Sequence, residues 1–153
     1  MTGTQTVPSI RQAIRSDLGA VMTYVISPTR CVLVKDTTKQ NPRFKLPGGS
    51  IEDGEDVIAG AIREVKEETG IELSPTEVQW WYPEERKNGS YLPHFCVAKV
   101  TEEKLDTHVK NGDEDGVPIK VQIFDRTEVS LLSEKTVLYK HLPLILEAEK
   151  KLS

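Results

Sequence analysis

Short runs of apolar and β-branched residues recur along this chain, and one longer stretch follows a helical period instead. Residues 20–26 and 31–35 have strand length and composition, and Ser27-Pro28-Thr29-Arg30 between them carries turn chemistry, so the pair predicts a hairpin. A polar loop follows over 36–42. Residues 77–82 and 91–100 predict two more strands, joined through Lys87-Asn88-Gly89-Ser90, where Asn-Gly favours a tight turn. A further strand is expected over 117–124. The chain closes with a helix somewhere within 135–152, its apolar face formed by Val137, Leu138, Leu142, Ile145 and Leu146; Pro143 either kinks it or marks its true start. Residues 1–6 read as loose, and residues 8–15 as a short helix or an irregular arm.

The best-marked element is a helix over residues 55–69. Asp53-Gly54 is a turn signal ahead of it, Glu55 and Asp56 suit its positive end, and Gly70 is a left-handed stop. Ile58, Ala61, Ile62 and Val65 form its apolar stripe. Glu64, Glu67 and Glu68 stand beside that stripe at i, i+3 and i+4, so their carboxylates project from one face toward a common point. Like charges so close repel, and hard oxygen ligands of this kind suit Mg²⁺ or Mn²⁺. A solvated acidic face is the plain alternative. Gly60 falls on the acidic flank one turn before Glu64, where it either leaves room for a bound group or is merely tolerated.

From Gly49 the chain reads Gly, five residues, Glu55, seven residues, then Arg63-Glu64-Val65-Lys66-Glu67-Glu68-Thr69-Gly70-Ile71. This pattern resembles, position for position, the signature of the Nudix hydrolases. Charge pairing alone does not require Gly49 and Glu55 at fixed distances upstream. The specific match covers residues 46–71; the resemblance implies a mixed β-sheet between helices, an α/β fold of the α/β/α sandwich type, and length and composition make residues 1–153 one domain. It implies that Glu64, Glu67 and Glu68 ligate the metal with the Gly48 carbonyl, that Glu55 lies near enough to contribute, and that Arg63 organises the carboxylates through its guanidinium fork. Leu46-Pro47-Gly48-Gly49 would form the tight bend that brings Gly48 there. Members of the family hydrolyse a nucleoside diphosphate linked to another group, and Glu67 is the leading candidate for the general base.

The chemistry agrees with the inventory. Phosphoanhydrides are polyanions that a bare acidic pocket repels, so metal is expected to be obligatory. Many relatives carry a further acid shortly before the last strand, and here Val117 and Lys120 occupy the corresponding positions. Asp113-Glu114-Asp115, just upstream between Gly112 and Gly116, reads preferentially as a solvated turn, with folding over the site as the alternative. Arg43 and Lys45, ahead of the bend, are candidates for touching substrate phosphates, or a solvated loop. Trp80 and Tyr82 share one face of their strand and Trp81 takes the other; these, like Tyr24 and Phe95, read first as core and second as a stacking surface for a base.

Composition narrows the alternatives. The 153 residues are 37% hydrophobic with a formal charge of -4, and the acidic balance argues against a duplex nucleic acid or membrane-surface binder. Cys31 and Cys96 match no zinc spacing with His94, His108 or His141, and fit buried roles in a reducing compartment. No membrane-length apolar run appears, so a cytoplasmic location is the default. The expected partner is a small-molecule nucleotide, with a homodimer left open. Beside the hydrolase reading stand two others: a catalytically silent nucleotide-binding or sensor module, and an RNA-end decapping pyrophosphohydrolase.

Overall fold

The computed structural model describes residues 19–83, 93–138 and 140–153. In chain order the elements are β1 (Ala20–Ile26), β2 (Arg30–Asp36), β3 (Gly48–Ser50), α1 (Val57–Thr69), a 3-10 turn (Pro75–Glu77), β4 (Val78–Pro83), β5 (His94–Lys99), α2 (Glu102–His108), β6 (Gly112–Glu114), β7 (Val117–Asp125), α3 (Arg126–Val129) and α4 (Leu142–Leu152). The sheet runs β4-β5-β1-β2-β7-β6, with β3 paired to β1 off that path. Among the described strands β1 and β5 pair in parallel and the other strand pairings are antiparallel, so the sheet is mixed.

Alternation along the strands puts one apolar set on each face. Val21, Val25, Val32, Cys96 and Ala98 join Val57, Ala61 and Val65 of α1 and Leu105 of α2 in one core. Tyr24, Ile26, Cys31, Leu33, Phe95 and Val97 join Val129, Leu142, Ile145 and Ala148 in a second core on the opposite face. The result is helix, sheet, helix. Both cysteines are buried thiols, and Tyr24 and Phe95 are core. Trp80 packs against the first core and Trp81 against the second, with a bulge between Trp80 and Tyr82. The side chain of Tyr82, the Asn88-Gly89 turn, the loose residues 1–6 and the arm over 8–15 lie outside the described residues.

The hairpin of β1 and β2 is short. It pairs only Val25 with Val32 and Ile26 with Cys31, after which the strands splay. Residues 44–50 enter the gap: Lys45 exchanges backbone hydrogen bonds with Val34 at 2.7 and 2.9 Å, the Pro47 carbonyl accepts from Thr23 N–H at 3.0 Å, and Gly48–Ser50 pairs with Ala20–Met22. Leu46-Pro47-Gly48-Gly49 is therefore less a bend than a strand wedged into a split sheet.

One helix start and one whole helix differ from the sequence reading, each for a local reason. Helix α1 starts at Val57, not at 55, because the Asp56 side chain accepts from Ala59 N–H at 2.8 Å and caps it. Helix α4 starts at Leu142 with Pro143 in its first turn, so the proline marks its true start, and just ahead of it Phe44 N–H donates to Thr136 O and Leu138 N–H to Phe44 O. Helix α2 was not anticipated, although Thr101 caps it by accepting from Lys104 N–H and Glu102-Glu103 follow in its first turn. It is pinned at Glu102, whose carboxylate accepts from Ser27, Thr29 and Arg30; these hydrogen bonds hold its pKa down at about 2.

Candidate active site

Gly48 and Gly49 are glycines for steric reasons. A Cβ on Gly48 would stand 2.1 Å from the Val21 carbonyl oxygen, and one on Gly49 would stand 2.5 Å from Glu64 Oε2. The β3 backbone thus lies directly against the helix that carries the acids. Gly48 N–H donates to Glu68 Oε1 at 3.1 Å, tying the wedge to the helix. Gly60 is buried where α1 crosses Ile51 and Val21, each 3.4–3.5 Å from where a Cβ would sit, so close helix-to-sheet packing accounts for it.

Glu64 and Glu68 are buried, 5% and 0% exposed, whereas Glu67 on the same helix is exposed. Three carboxylates do converge, but the third is Glu114: one oxygen from each of Glu64, Glu68 and Glu114 lies within 4.8 Å of the others. Glu67 stands outside that group, 3.4 Å from Arg63. Glu114 arrives because Asp115 and Gly116, with φ of 51° and 85°, close a two-residue hairpin between β6 and β7. The solvated-turn reading of 113–115 therefore holds for Asp115 and fails for Glu114. The signal for it was Asp-Gly flanked by strand-forming residues.

Arg63 is the main positive charge on the outer side of this group. Its Nε and Nη2 fork onto Glu55 at 2.6 and 3.0 Å, Nη1 donates to Glu64 Oε2 at 2.9 Å, and Nη2 donates to the Ser50 carbonyl at 2.9 Å. Glu55 precedes the helix, its Oε1 also accepting from Glu52 N–H at 2.9 Å. Although burial opposes it, the Arg63 fork keeps the Glu55 carboxyl below its ordinary pKa.

The inner carboxylates behave oppositely. Burial, and then the Glu114 charge, push Glu68 up to about 9, against weaker opposition from Lys45 and the Gly48 N–H. Burial also raises Glu64, with Arg63 opposing. Glu64 Oε1 and Glu68 Oε2 are buried without a hydrogen-bond partner. Two carboxylates with orphaned oxygens, converging with a third acid, are a donor set that fits a hard divalent cation, which would satisfy them and remove the repulsion.

Lys45 and Arg43 part company. Lys45 Nζ lies 3.6 Å from Glu114 Oε1, beside the cluster, while Arg43 is exposed in an adjoining pocket with Asp36 and Lys39, to which Lys45 also contributes. Next to Gly48, Gly49 and Glu114 opens a cavity of about 630 Å³, which Lys45 lines together with Met22, Leu46 and His141. In the sequence His141 carries no signal beyond its lack of zinc spacing.

A family model described as NUDIX domain matches residues 17–144. Among curated proteins, Nudix hydrolase 8 of Arabidopsis thaliana is 37% identical over 75 residues, 46% of this chain and 20% of that protein. An uncharacterized Nudix hydrolase of Bacillus subtilis, YvcI, is 36% identical over 77 residues, 46% of this chain and 49% of that protein. The chain thus spans under half the length of each. Of solved structures, an ADP compounds hydrolase superposes with a TM-score of 0.68 at 15% identity, covering 90% of this chain and 74% of the other. A structure from work on MutT of Aliivibrio salmonicida and Vibrio cholerae gives 0.61 at 16%, covering 88% of this chain and 98% of the other. At such identities the likeness is one of fold.

Proposed function

This chain belongs to the Nudix family, and from that premise we propose that it is a metal-dependent hydrolase cleaving a phosphoanhydride bond in a nucleoside diphosphate linked to another group, of the nucleoside triphosphate or nucleotide-sugar type. The observation that carries the reading is that Glu64 and Glu68, each with a buried oxygen lacking a hydrogen-bond partner, bring their carboxylates together with that of Glu114. A retired site has no reason to keep buried repulsion of this kind, which counts against a silent binding module. The residues that would hold Mg²⁺ or Mn²⁺ are Glu64, Glu68 and Glu114, with Glu67 and the Gly48 carbonyl as further donors. When bound, a divalent cation neutralises phosphate charge and acidifies water.

The protein's own groups supply the rest. Arg63 holds Glu55 and Glu64 in place, so the inner carboxylates are oriented before substrate arrives. Glu67 is exposed, with its carboxylate still on the same helix face, and it is the group proposed to accept the proton of the attacking water. Lys45 is proposed to pair with a substrate phosphate, a role for which the exposed Arg43 stands less favourably. Single-domain organisation over 1–153 and a cytoplasmic location complete the proposal; among the described residues no helix is long and apolar enough to cross a membrane.

A panel of nucleoside triphosphates, nucleotide sugars and 5′-triphosphorylated RNA with Mg²⁺ or Mn²⁺ tests it, with products identified. We expect turnover of small nucleotides only with metal present, and its loss in Glu67→Gln with the fold retained. Activity that survives in Glu67→Gln would reject Glu67 as the base, and a wild type inert on every compound would reject the hydrolase reading. Preference for RNA would favour the decapping alternative.

A further inference from the structure

We propose that His141 is a specificity-determining residue, donating from its Nε2–H to a hydrogen-bond acceptor on the edge of the substrate's base, which sits in the cavity beside the acidic cluster. The proposal rests on the hydrolase reading above and names what its site would recognise.

The tautomer is fixed by the fold. Leu46 N–H donates to His141 Nδ1 at 2.9 Å, so Nδ1 carries no proton and a neutral ring must carry it on Nε2. Nε2 has no hydrogen-bond partner among the described residues, and His141 lines the cavity. Leu46 lies two residues before Gly48, whose N–H binds Glu68, so the ring is anchored to the same wedge strand as the acids. Burial, and then the charges of Lys45 and Lys140, lower its pKa to about 4. Near neutral pH the ring is thus a standing donor and does not exchange protons as an acid or base would.

The cavity indicates what that donor meets. Its volume of about 630 Å³ suits a nucleoside. Much of its wall is apolar, from Met22, Leu46, Leu138 and Leu144, which favours a flat heterocycle over a hydroxyl-rich sugar or a second polyphosphate. Gly48, Gly49 and Glu114 at one end place the cluster where the attached phosphates would emerge. A neutral donor in an apolar wall discriminates between bases strongly, because a base without the matching acceptor leaves it desolvated and unpaired.

The test pairs a protein change with a substrate change. His141→Asn keeps an oxygen able to accept from Leu46 N–H but removes the Nε2 donor; His141→Ala removes both. Steady-state kinetics are measured on the best-hydrolysed nucleotide and on analogues lacking a single acceptor, with N7 replaced by CH or the 6-oxo or 4-oxo group by H. Thermal unfolding of each variant is followed in parallel. We expect one acceptor deletion to raise the wild-type KM roughly 5–10-fold and to have no effect in His141→Asn, whose KM on the parent nucleotide is raised by a similar factor. A merely structural role would lower kcat/KM for every analogue alike. Wild-type turnover with an unchanged ratio in the variant overturns this assignment and leaves the hydrolase reading intact, whereas a wild type without turnover removes both.

Discussion

Gly48 and Gly49 are adjacent, yet a methyl group added to each should fail in different ways. In Gly48→Ala the new Cβ would lie 2.1 Å from the Val21 carbonyl oxygen and 3.0 Å from Met22 Cα, both backbone atoms. To bring the first contact to 3.0 Å, β1 and β3 must separate by about 0.9 Å. That breaks the Met22–Gly48 pairing and draws the Gly48 N–H off Glu68. Overpacking costs ~1–3 kcal/mol and the lost hydrogen bond to the protonated Glu68 carboxyl adds ~0.5–1.5 kcal/mol, so in metal-free protein we expect a loss of about 2–4 kcal/mol. In Gly49→Ala the obstacle is a side chain: Glu64 Oε2 at 2.5 Å and Cδ at 2.8 Å. A side chain can move, and the stability loss should stay at ~1–2 kcal/mol. The moved carboxylate, however, leaves Arg63 and the group shared with Glu68 and Glu114, so Mn²⁺ affinity should fall by roughly 10–100-fold. Urea unfolding in EDTA reads the first quantity and a Mn²⁺ titration followed by electron paramagnetic resonance reads the second. A Gly48→Ala protein within 1 kcal/mol of wild type, on the order of a minor surface change, or a Gly49→Ala protein binding Mn²⁺ undiminished, would refute the steric argument.

Metal-free protein should lose stability as pH rises from about 5 to 9. The Glu68 pKa is raised to about 9 when folded, so over this range the unfolded chain has released a proton that the native state still holds. At about 1.4 kcal/mol per unit of separation the fall is expected to reach several kcal/mol, and Glu68→Gln should abolish most of it in EDTA melts. Saturating Mg²⁺ should reverse the trend; a flat wild-type profile in EDTA would contradict the buried-acid account. Arg63→Lys retains charge but cannot fork onto Glu55 while reaching Glu64 and Ser50, and should cost ~1–2 kcal/mol in denaturant and more than tenfold in any turnover; equal activity would deny Arg63 its orienting role. Glu114→Gln should weaken Mn²⁺ binding by ~10-fold while leaving the metal-free fold about as stable, since the repulsion it removes from Glu68 offsets the part-exposed ion pair with Lys45. Asp56→Ala, which removes the cap on Ala59 N–H, should cost ~1 kcal/mol in urea unfolding without a direct effect on metal affinity.

Much of this protein was fixed by local rules. The period of Ile58, Ala61, Ile62 and Val65, the stop at Gly70 and the fixed spacing of Gly49, Glu55, Arg63, Glu64 and Glu68 are statements about one short segment, and helix geometry alone puts those acids beside an apolar stripe. The β1–β2 hairpin and the mixed sheet between helices were legible for the same reason. Helix α2 was equally local, with Thr101 as its cap, and went unread because a seven-residue helix burying only Leu105 leaves almost no periodic signal.

What spacing cannot supply is the arrangement of segments distant in the chain. Tertiary structure split β1 from β2, drove residues 44–50 between them, and so buried Glu64 and Glu68 while leaving Glu67 in solvent. It carried Glu114 to Glu68 and His141 to Leu46, contacts spanning 46 and 95 positions, the latter as a hydrogen bond. Sequence alone determined which acids the helix would offer; which of them lost water, and which distant side chains met them, was decided by how the sheet closed around the wedge, because desolvation depends on everything packed nearby.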